Sequence, residues 1–212
     1  MNIATLTELW QNQQIELQKS LEINKELARE INTIKINHLL TSMRPIKLFA
    51  LIVGVLWIIL VDGLLVATFH ISSSYFFWSA LMQTFITKIA VGIYLYQLVL
   101  IHQTDFSGSV VKVQQQLAKL TLSTLWVSRV LFLQLPLWAV FWWTDAFLKQ
   151  LTPLSQSFLL ATTMVFTALA IWLFLNIRME NSEKAWFRWI FRGKEWEPLA
   201  KAREMLGEIV PG

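Results

Sequence analysis

The stretch Leu51–Phe69 reads LIVGVLWIILVDGLLVATF and carries one charge, Asp62, among residues that are otherwise apolar or small. A helix needs about 20 mainly apolar residues to cross the hydrocarbon core of a bilayer, and this stretch belongs to such a run. Three similar runs follow it along the chain. The sequence therefore predicts an all-α polytopic membrane protein, with four transmembrane helices at residues 46–69, 76–102, 121–144 and 157–177.

The composition agrees with a membrane protein and offers little chemistry. Hydrophobic residues make up 55% of the 212 residues and charged residues 15%, whereas a soluble domain carries about 25% charged residues. Cysteine is absent, which excludes disulfides and thiolate metal sites. The three His lie in different regions without metal-ligand spacing, and the common hydrolase, metalloprotease and nucleotide-binding motifs are missing. We therefore expect no enzymatic activity, no cofactor and no metal.

The positions of the positive charges predict the orientation. Fifteen of the 18 Lys and Arg lie before or at the start of the first span, between the second and third spans, or after the fourth. The other two connections carry only Lys149. Loops rich in Lys and Arg stay on the cytoplasmic side, so both termini are predicted to be cytoplasmic, in a multi-pass protein of the inner membrane. Residues 1–45 then form a cytoplasmic helix, 46–178 the transmembrane domain and 179–212 a cytoplasmic tail.

The N-terminal segment predicts one long amphipathic helix. Residues 4–43 contain no Gly or Pro, and Pro45 is expected to end the helix. Apolar residues and one Asn recur at seven-residue spacing, with a Leu between two of them, as in a coiled-coil seam. This predicts a face that binds a second copy or a cytoplasmic protein; the alternative is a solvated helix that folds back on the membrane or on the tail. The face consists of Trp10, Leu17, Leu21, Asn24 and Ile31.

The C-terminal tail predicts a helix at the membrane surface. Basic and aromatic residues are interleaved directly after the fourth span, as in interfacial helices on anionic headgroups. Nucleic acid could bind the same composition, but the position beside the bilayer favours lipid. Gly193 is expected to end this helix, and Glu197–Pro198 to start a last short one. The surface residues are Lys184, Trp186, Arg188, Trp189, Arg192 and Lys194.

Several polar side chains lie within the predicted spans. Asp62 lies about 24 Å from the start of the first span, Gln83 at a similar depth, and Lys88 more than one helical turn away from Asp62. One interpretation is an ion, proton or anionic-lipid site within the bundle. The other is a boundary Asp, a snorkelling Arg and amides that hold the helices together. The full set is Asp62, Gln83, Lys88, Arg129 and Gln134, and Pro136 predicts a kink in span three.

A resemblance adds a functional expectation. The segments LTELWQNQ (residues 6–13) and SLEINKELAREINTIKINHLL (residues 20–40), followed by four spans, resemble a group of small bacterial integral membrane proteins. Those begin with a similar Leu-x-x-Leu-Trp-x-x-Gln helix, and some are neighbours of extracytoplasmic-function sigma factor genes. The resemblance implies an anti-sigma-like or envelope-sensing role. The sequence carries no His/Cys zinc signature of the better known anti-sigma families.

These patterns favour a non-enzymatic regulatory or scaffolding membrane protein that acts through its cytoplasmic helices. The largest part of the chain outside the spans is helical and suited to contacts, because it consists of a 40-residue helix, a helical extension of span three and a basic tail. The alternative is an oligomeric ion channel or small transporter that uses the intramembrane polar residues. A lipid-modifying enzyme would need an acid/base cluster at an interface, and Asp145 stands nearly alone on the outer side.

Overall fold

The computed structural model describes residues 3–70, 72–103, 110–193 and 196–209, and every regular element among them is a helix. Four helical stretches are long and apolar enough to cross a membrane. The elements are α1 (Ile3–Thr41), α2 (Arg44–Thr68), α3 (Ser74–Gln103), α4 (Val110–Phe132), α5 (Leu135–Val140), α6 (Asp145–Gln150), α7 (Pro153–Asn176), α8 (Ala185–Ile190) and α9 (Glu197–Ile209), with a 3-10 turn at Met179–Asn181.

The long N-terminal helix passes almost directly into the first span. Pro45 has no N–H, so the carbonyl of Thr41 finds no amide four residues ahead, and α1 ends there. The backbone nevertheless stays helical through Met43, whose carbonyl accepts from the amide of Lys47 at 3.1 Å. The predicted end of the helix is confirmed, and only a two-residue turn separates α1 from α2.

The third span differs from its predicted extent. Its helix begins at Val110, which confirms a helical extension ahead of the apolar run. It then breaks at residues 133–134, because Pro136 cannot donate to the carbonyl of Phe132, and this confirms the predicted kink. The apolar helix of this span ends at Val140 rather than at residue 144. Thr144 instead caps the next helix, because its hydroxyl oxygen accepts a hydrogen bond from the amide of Phe147 at 3.1 Å.

The spans pack in chain order. α2 packs along α3, α3 packs against α4 and α5, and α4 and α5 pack against α7. We call the end of the bundle where α1 meets α2 the terminal end, and the opposite end, where α2 turns into α3, the loop end. At the loop end, the hydroxyl of Ser73 donates to the carbonyl of Trp143 at 2.9 Å, which ties the two interhelical connections together.

Buried side chains concentrate at the two ends of the bundle. At the loop end, Val61, Leu65 and Ala80 form a small core. At the terminal end, Leu125, Leu173, Ile177 and Phe187 form a second core. The largest core joins the last turns of α1, the end of α3, the start of α4 and one face of α9; it contains Ile36, Leu40, Met43, Ile101, Val113, Leu117, Leu120, Leu199 and Ala202.

Outside these cores the spans present apolar side chains to their surroundings. Phe49, Val66, Phe158 and Met164 are all at least 70% exposed, although each is a large hydrophobic residue on a spanning helix. A water-soluble helix buries its apolar side and exposes a polar one. The outward apolar surface is therefore suited to lipid, which agrees with a multi-pass membrane protein.

Candidate functional site

The first part of α1 forms an arm, residues 10–34, whose large apolar side chains are left exposed by the described part of the chain. Trp10, Leu17, Leu21 and Ile31 are 73%, 61%, 60% and 50% exposed. Asn24, the polar member of the predicted face, is exposed as well. The structure thus places all five residues of the predicted partner face on an open surface.

The arm's apolar stripe is not a continuation of the core. At 3.6 residues per turn, the stripe lies roughly 100° around α1 from the face that buries Ile36 and Leu40. Traced back along the helix, that buried face meets Lys25 and Glu22, both exposed. Among the described residues, the last turns of α1 pack against α9, so one part of the fold-back alternative, contact with the tail, is present there.

The structure brings Asp62 and Lys88 together. Lys88 Nζ lies 2.9 Å from Asp62 Oδ2, so the long Lys side chain spans the helical turn that separates them in depth. The side chains of Lys88 and Asp62 are 51% and 42% exposed. The pair therefore lies on the outer surface of the spans rather than inside the bundle.

Gln83 and Gln134 form a separate polar contact inside the bundle. Gln134 Nε2 donates to Thr87 Oγ1 at 3.0 Å and lies 3.4 Å from the carbonyl oxygen of Gln83. The side chain of Gln83 is buried and turns to Ser79 Oγ, 3.3 Å away. Gln83, which the sequence placed at a depth similar to that of Asp62, is therefore separate from it, because Asp62 pairs with Lys88 on the outside.

Arg129 reaches the terminal end of the bundle. Its Nε donates to the carbonyl oxygen of Ile177 at 2.5 Å, just beyond the last turn of α7, and its guanidinium lies 5.5 Å from the ring centre of Trp126. The side chain of Arg129 thus extends towards the terminal end of the bundle, the direction in which a snorkelling Arg would point. Its partner is a helix-end carbonyl, a common acceptor for a cation at a helix C-terminus.

Sequence reasoning missed the most deeply buried charge among the described residues. Lys47, counted above only among the N-terminal positive charges, is fully buried and donates to Gln97 Oε1, which is also fully buried. One turn earlier, Arg44 donates to the carbonyl of Ile101 at 3.0 Å. Spans α2 and α3 form an antiparallel hairpin, so residues equally distant from its turn lie side by side. That symmetry was the signal available for pairing Lys47 with Gln97.

The C-terminal tail is packed more tightly than an interfacial helix would be. α8 ends at Ile190, three residues before Gly193, where the sequence placed its end. Within α8, Phe187 is fully buried under the ends of α4 and α7. Phe191 stacks on Phe187 at 4.3 Å between ring centres, and Trp186 lies 4.9 Å from Trp172. The expectation of a surface helix is corrected for these side chains: Trp186, Phe187 and Phe191, three of the four aromatic residues at positions 186–191, close the end of the bundle.

The remaining residues of the predicted membrane-surface set do not pack into the bundle where the structure describes them. Lys184, Arg188, Trp189 and Arg192 are exposed, Trp189 by 78%. Lys194 lies outside the described residues. The start of α9 at Glu197 confirms the predicted Glu197–Pro198 helix start. The tail therefore has an apolar side bound to the bundle and a cationic side left open.

Within the part of the chain that the structure describes, no group of three or more His, Asp or Glu side chains is arranged to hold a metal ion. The polar contacts described above are ion pairs, amides and helix-end carbonyls. Comparison with protein-family models, curated proteins and solved structures gives no match of any of the three kinds.

Proposed function

We propose that this chain is a non-enzymatic regulatory or scaffolding membrane protein, which binds a protein partner through the apolar stripe of the α1 arm. The partner is a cytoplasmic protein or a second copy of the chain. The observation that carries the proposal is the exposure of Trp10, Leu17, Leu21 and Ile31 on a helix whose other end is fixed in the core.

The dimensions of the stripe suit a partner helix. From Trp10 to Ile31 the arm rises about 32 Å, enough for three heptads of a coiled coil. Asn24 lies within the stripe, where a single polar residue can fix the register of two helices. The stripe therefore has both the length and the internal marker of a helix–helix interface.

The charge of α1 favours a protein partner over a lipid surface. Helix α1 contains four Lys or Arg and five Glu. Helices that lie on anionic membranes carry an excess of Lys and Arg on their polar face. A helix with nearly balanced charge gains little from anionic headgroups, so its apolar stripe is better covered by another helix.

The proposal includes the orientation drawn from the positive charges, with both termini in the cytoplasm and the protein in the inner membrane. Because the chain has no Cys, single Cys residues report their own location. We expect a membrane-impermeant maleimide to label Gln150→Cys in intact cells and to label Asn12→Cys only after the cells are opened. The opposite labelling pattern would show that the termini lie outside the cytoplasm, and would contradict binding of a cytoplasmic partner.

The partner is sought by affinity purification from gently solubilised native membranes. We expect Leu17→Glu with Leu21→Glu to lose the partner, because both side chains lie in the stripe. The matched control is Ile15→Glu with Ile23→Glu, since these residues are 62% and 50% exposed on other sides of the same helix. Equal retention, or equal loss, in the two double variants would contradict the stripe as the binding surface.

The resemblance to membrane proteins encoded beside sigma factor genes gives the proposal a specific form. In an anti-sigma-like or envelope-sensing role, the protein captured by the arm is a sigma factor. Identification of the captured protein by mass spectrometry tests this form. Capture of a second copy alone would leave the scaffolding function and remove the anti-sigma-like one.

One observation favours the alternative, an oligomeric channel or small transporter. The Asp62–Lys88 pair is about half exposed on the outer surface of the spans, where hydrocarbon is a poor environment for charges. A second copy packed over this pair would shield it and could align polar residues between subunits. Under this alternative, Asp62→Asn and Lys88→Met alter conductance or transport in proteoliposomes. Under the scaffolding proposal, the protein carries no flux, and proteoliposomes with either variant behave like those with the unchanged protein.

A further inference from the structure

A groove of about 810 Å³ lies at the terminal end, between α4, the 3-10 turn, α8 and α9. Its lining includes three guanidinium groups, those of Arg188, Arg192 and Arg203, together with Thr121 and Ser182. These elements converge because Phe187 of α8 and Leu199 of α9 are both buried in the cores next to them. The groove is therefore held open by packed helices and is not a gap between loose segments.

The three Arg side chains form no ion pair with a described carboxylate. Among the described residues, the ion pairs are Lys88–Asp62 and Lys201–Glu197, so no described carboxylate lies within 4.0 Å of these guanidinium groups. Glu197 and Glu204 also line the groove, but Glu197 is paired with Lys201 at 2.8 Å. The planar guanidinium fork matches the oxygens of a phosphate better than an ammonium does.

A second cleft, of about 330 Å³, opens beside the groove and is lined mainly by apolar side chains. The two cavities share Phe191, Arg192, Gly193 and Trp196 along their common edge. From this edge the cleft follows α4, the third spanning helix, as far as Leu131 and Phe132. From Thr121 to Leu131 this is a rise of about 15 Å, which leads from the cationic groove into the apolar part of the bundle.

We infer that groove and cleft together bind one anionic phospholipid, with its phosphate between Arg188, Arg192 and Arg203 and an acyl chain in the cleft along α4. A free phosphate would leave the apolar cleft empty, whereas a phospholipid fills both cavities. Arg192 lies on the shared edge, where the phosphate of such a lipid joins its glycerol. The inference rests on the proposed placement of this end at the cytoplasmic leaflet, which is rich in anionic lipid, and it turns a surface attraction into a defined site.

The test is native mass spectrometry of the full-length protein, purified in detergent, stripped of lipid and titrated with phosphatidylglycerol, phosphatidylcholine or inorganic phosphate. We expect phosphatidylglycerol to bind with one-to-one stoichiometry and at least about tenfold more tightly than phosphatidylcholine, because charge-assisted hydrogen bonds favour the anionic headgroup. Equal retention of the two lipids would overturn the inference. Retention of inorganic phosphate as tight as that of phosphatidylglycerol would assign the groove to a soluble anion instead.

Two pairs of variants locate the site. We expect Arg188→Gln with Arg192→Gln to weaken phosphatidylglycerol binding about tenfold or more. Arg178→Gln with Lys184→Gln removes the same charge from the same segment but outside both cavities, and should change binding by less than about twofold. If both pairs of substitutions weakened phosphatidylglycerol binding equally, the lipid would be attracted by the net charge of the tail and not by a defined site. If the first pair fails to fold, Arg192→Lys keeps the charge, and an unchanged affinity in that variant would also overturn the inference.

A variant that fills the cleft distinguishes the contribution of the acyl chain from that of the headgroup. Ser128 is half-buried and lines the cleft along α4. We expect Ser128→Phe to reduce binding of phosphatidylglycerol while leaving a short-chain, water-soluble analogue of the same headgroup unaffected; equal effects on both would contradict the acyl-chain assignment. Leu17→Glu, which tests the arm, should leave lipid binding unchanged, so the two proposals fail independently.

Discussion

Lys47 of α2 donates a hydrogen bond to Gln97 of α3, and both side chains are fully buried where the first two spans begin and end. A buried ammonium is costly without acceptors, so the amide oxygen of Gln97 fixes how the two helices lie against each other. The contact lies directly after the turn that joins α1 to α2. It therefore couples the base of the α1 arm to the transmembrane bundle.

Loss of the Gln97 acceptor should destabilise the bundle. We expect Gln97→Leu to lower the free energy of unfolding by roughly 0.5–2 kcal/mol, the range found for hydrogen bonds between spans. Lys47→Met combined with Gln97→Leu should recover much of this loss, because no buried charge then remains. Unfolding in mixed micelles measures both variants. A double variant less stable than the single one would contradict this account of the pair.

The Asp62–Lys88 ion pair should show energetic coupling. Asp62→Asn and Lys88→Met each leave one partner unpaired on the surface of the spans, whereas the double variant leaves neither. We expect a coupling free energy of roughly 0.5–2 kcal/mol, the range found for polar contacts between spans, because the exposed side of the pair faces hydrocarbon rather than water. The same micelle unfolding gives the full double-mutant cycle. Strictly additive effects would mean that the pair does not form in the membrane.

Gly54 allows α2 and α3 to approach closely. A Cβ atom at this position would lie 2.6 Å from Val91 Cγ2, whereas at Gly63, on the same helix, it would meet nothing within 4 Å. We expect Gly54→Leu to cost about 1–3 kcal/mol through overpacking. Gly63→Leu is the matched control and should be nearly silent. Thermal denaturation in detergent compares the two, and equal melting temperatures would contradict the close approach.

The start of α9 should respond to pH through Glu197. A hydrogen bond from Lys201, reinforced by its charge, holds the pKa of the Glu197 carboxyl below its ordinary value. A lowered pKa in the folded state means that the pair stabilises α9 above the ordinary carboxyl pKa, and that this stabilisation is lost as the pH falls through the lowered pKa. We expect Lys201→Gln to raise the pKa of Glu197 in a side-chain NMR titration. Identical titration curves would show that the pair is absent.

Much of the fold follows from the sequence because span length and apolar content are local properties. The four spans, the end of α1 before Pro45 and the break at Pro136 all depend on residues close together in the chain. The rotation of each span about its helix axis depends on residues far apart in the chain. The sequence therefore could not show that Asp62 faces outwards while Gln83 and Gln134 meet inside the bundle.

The sequence also could not show that part of the tail is buried, for a different reason. The interleaved aromatics and cations of α8 have the same pattern whether the aromatics face lipid or protein. Only the space left under α4 and α7 decides that Phe187 is buried while Trp189 is exposed. The exposed stripe of α1 is the converse case: its spacing was visible in the sequence, and the structure adds that no other described part of the chain covers it.

The central claim is that the α1 stripe contacts a partner, and site-specific photo-crosslinking in native membranes tests it most directly. A photoreactive residue is placed at Leu17, on the stripe, or at Ile15, which is equally exposed about 160° around the helix. We predict a discrete adduct from position 17 and none from position 15. An adduct of twice 24.6 kDa would identify a second copy, and any other mass a different protein. Equal adducts from both positions, or none from either, would contradict the claim.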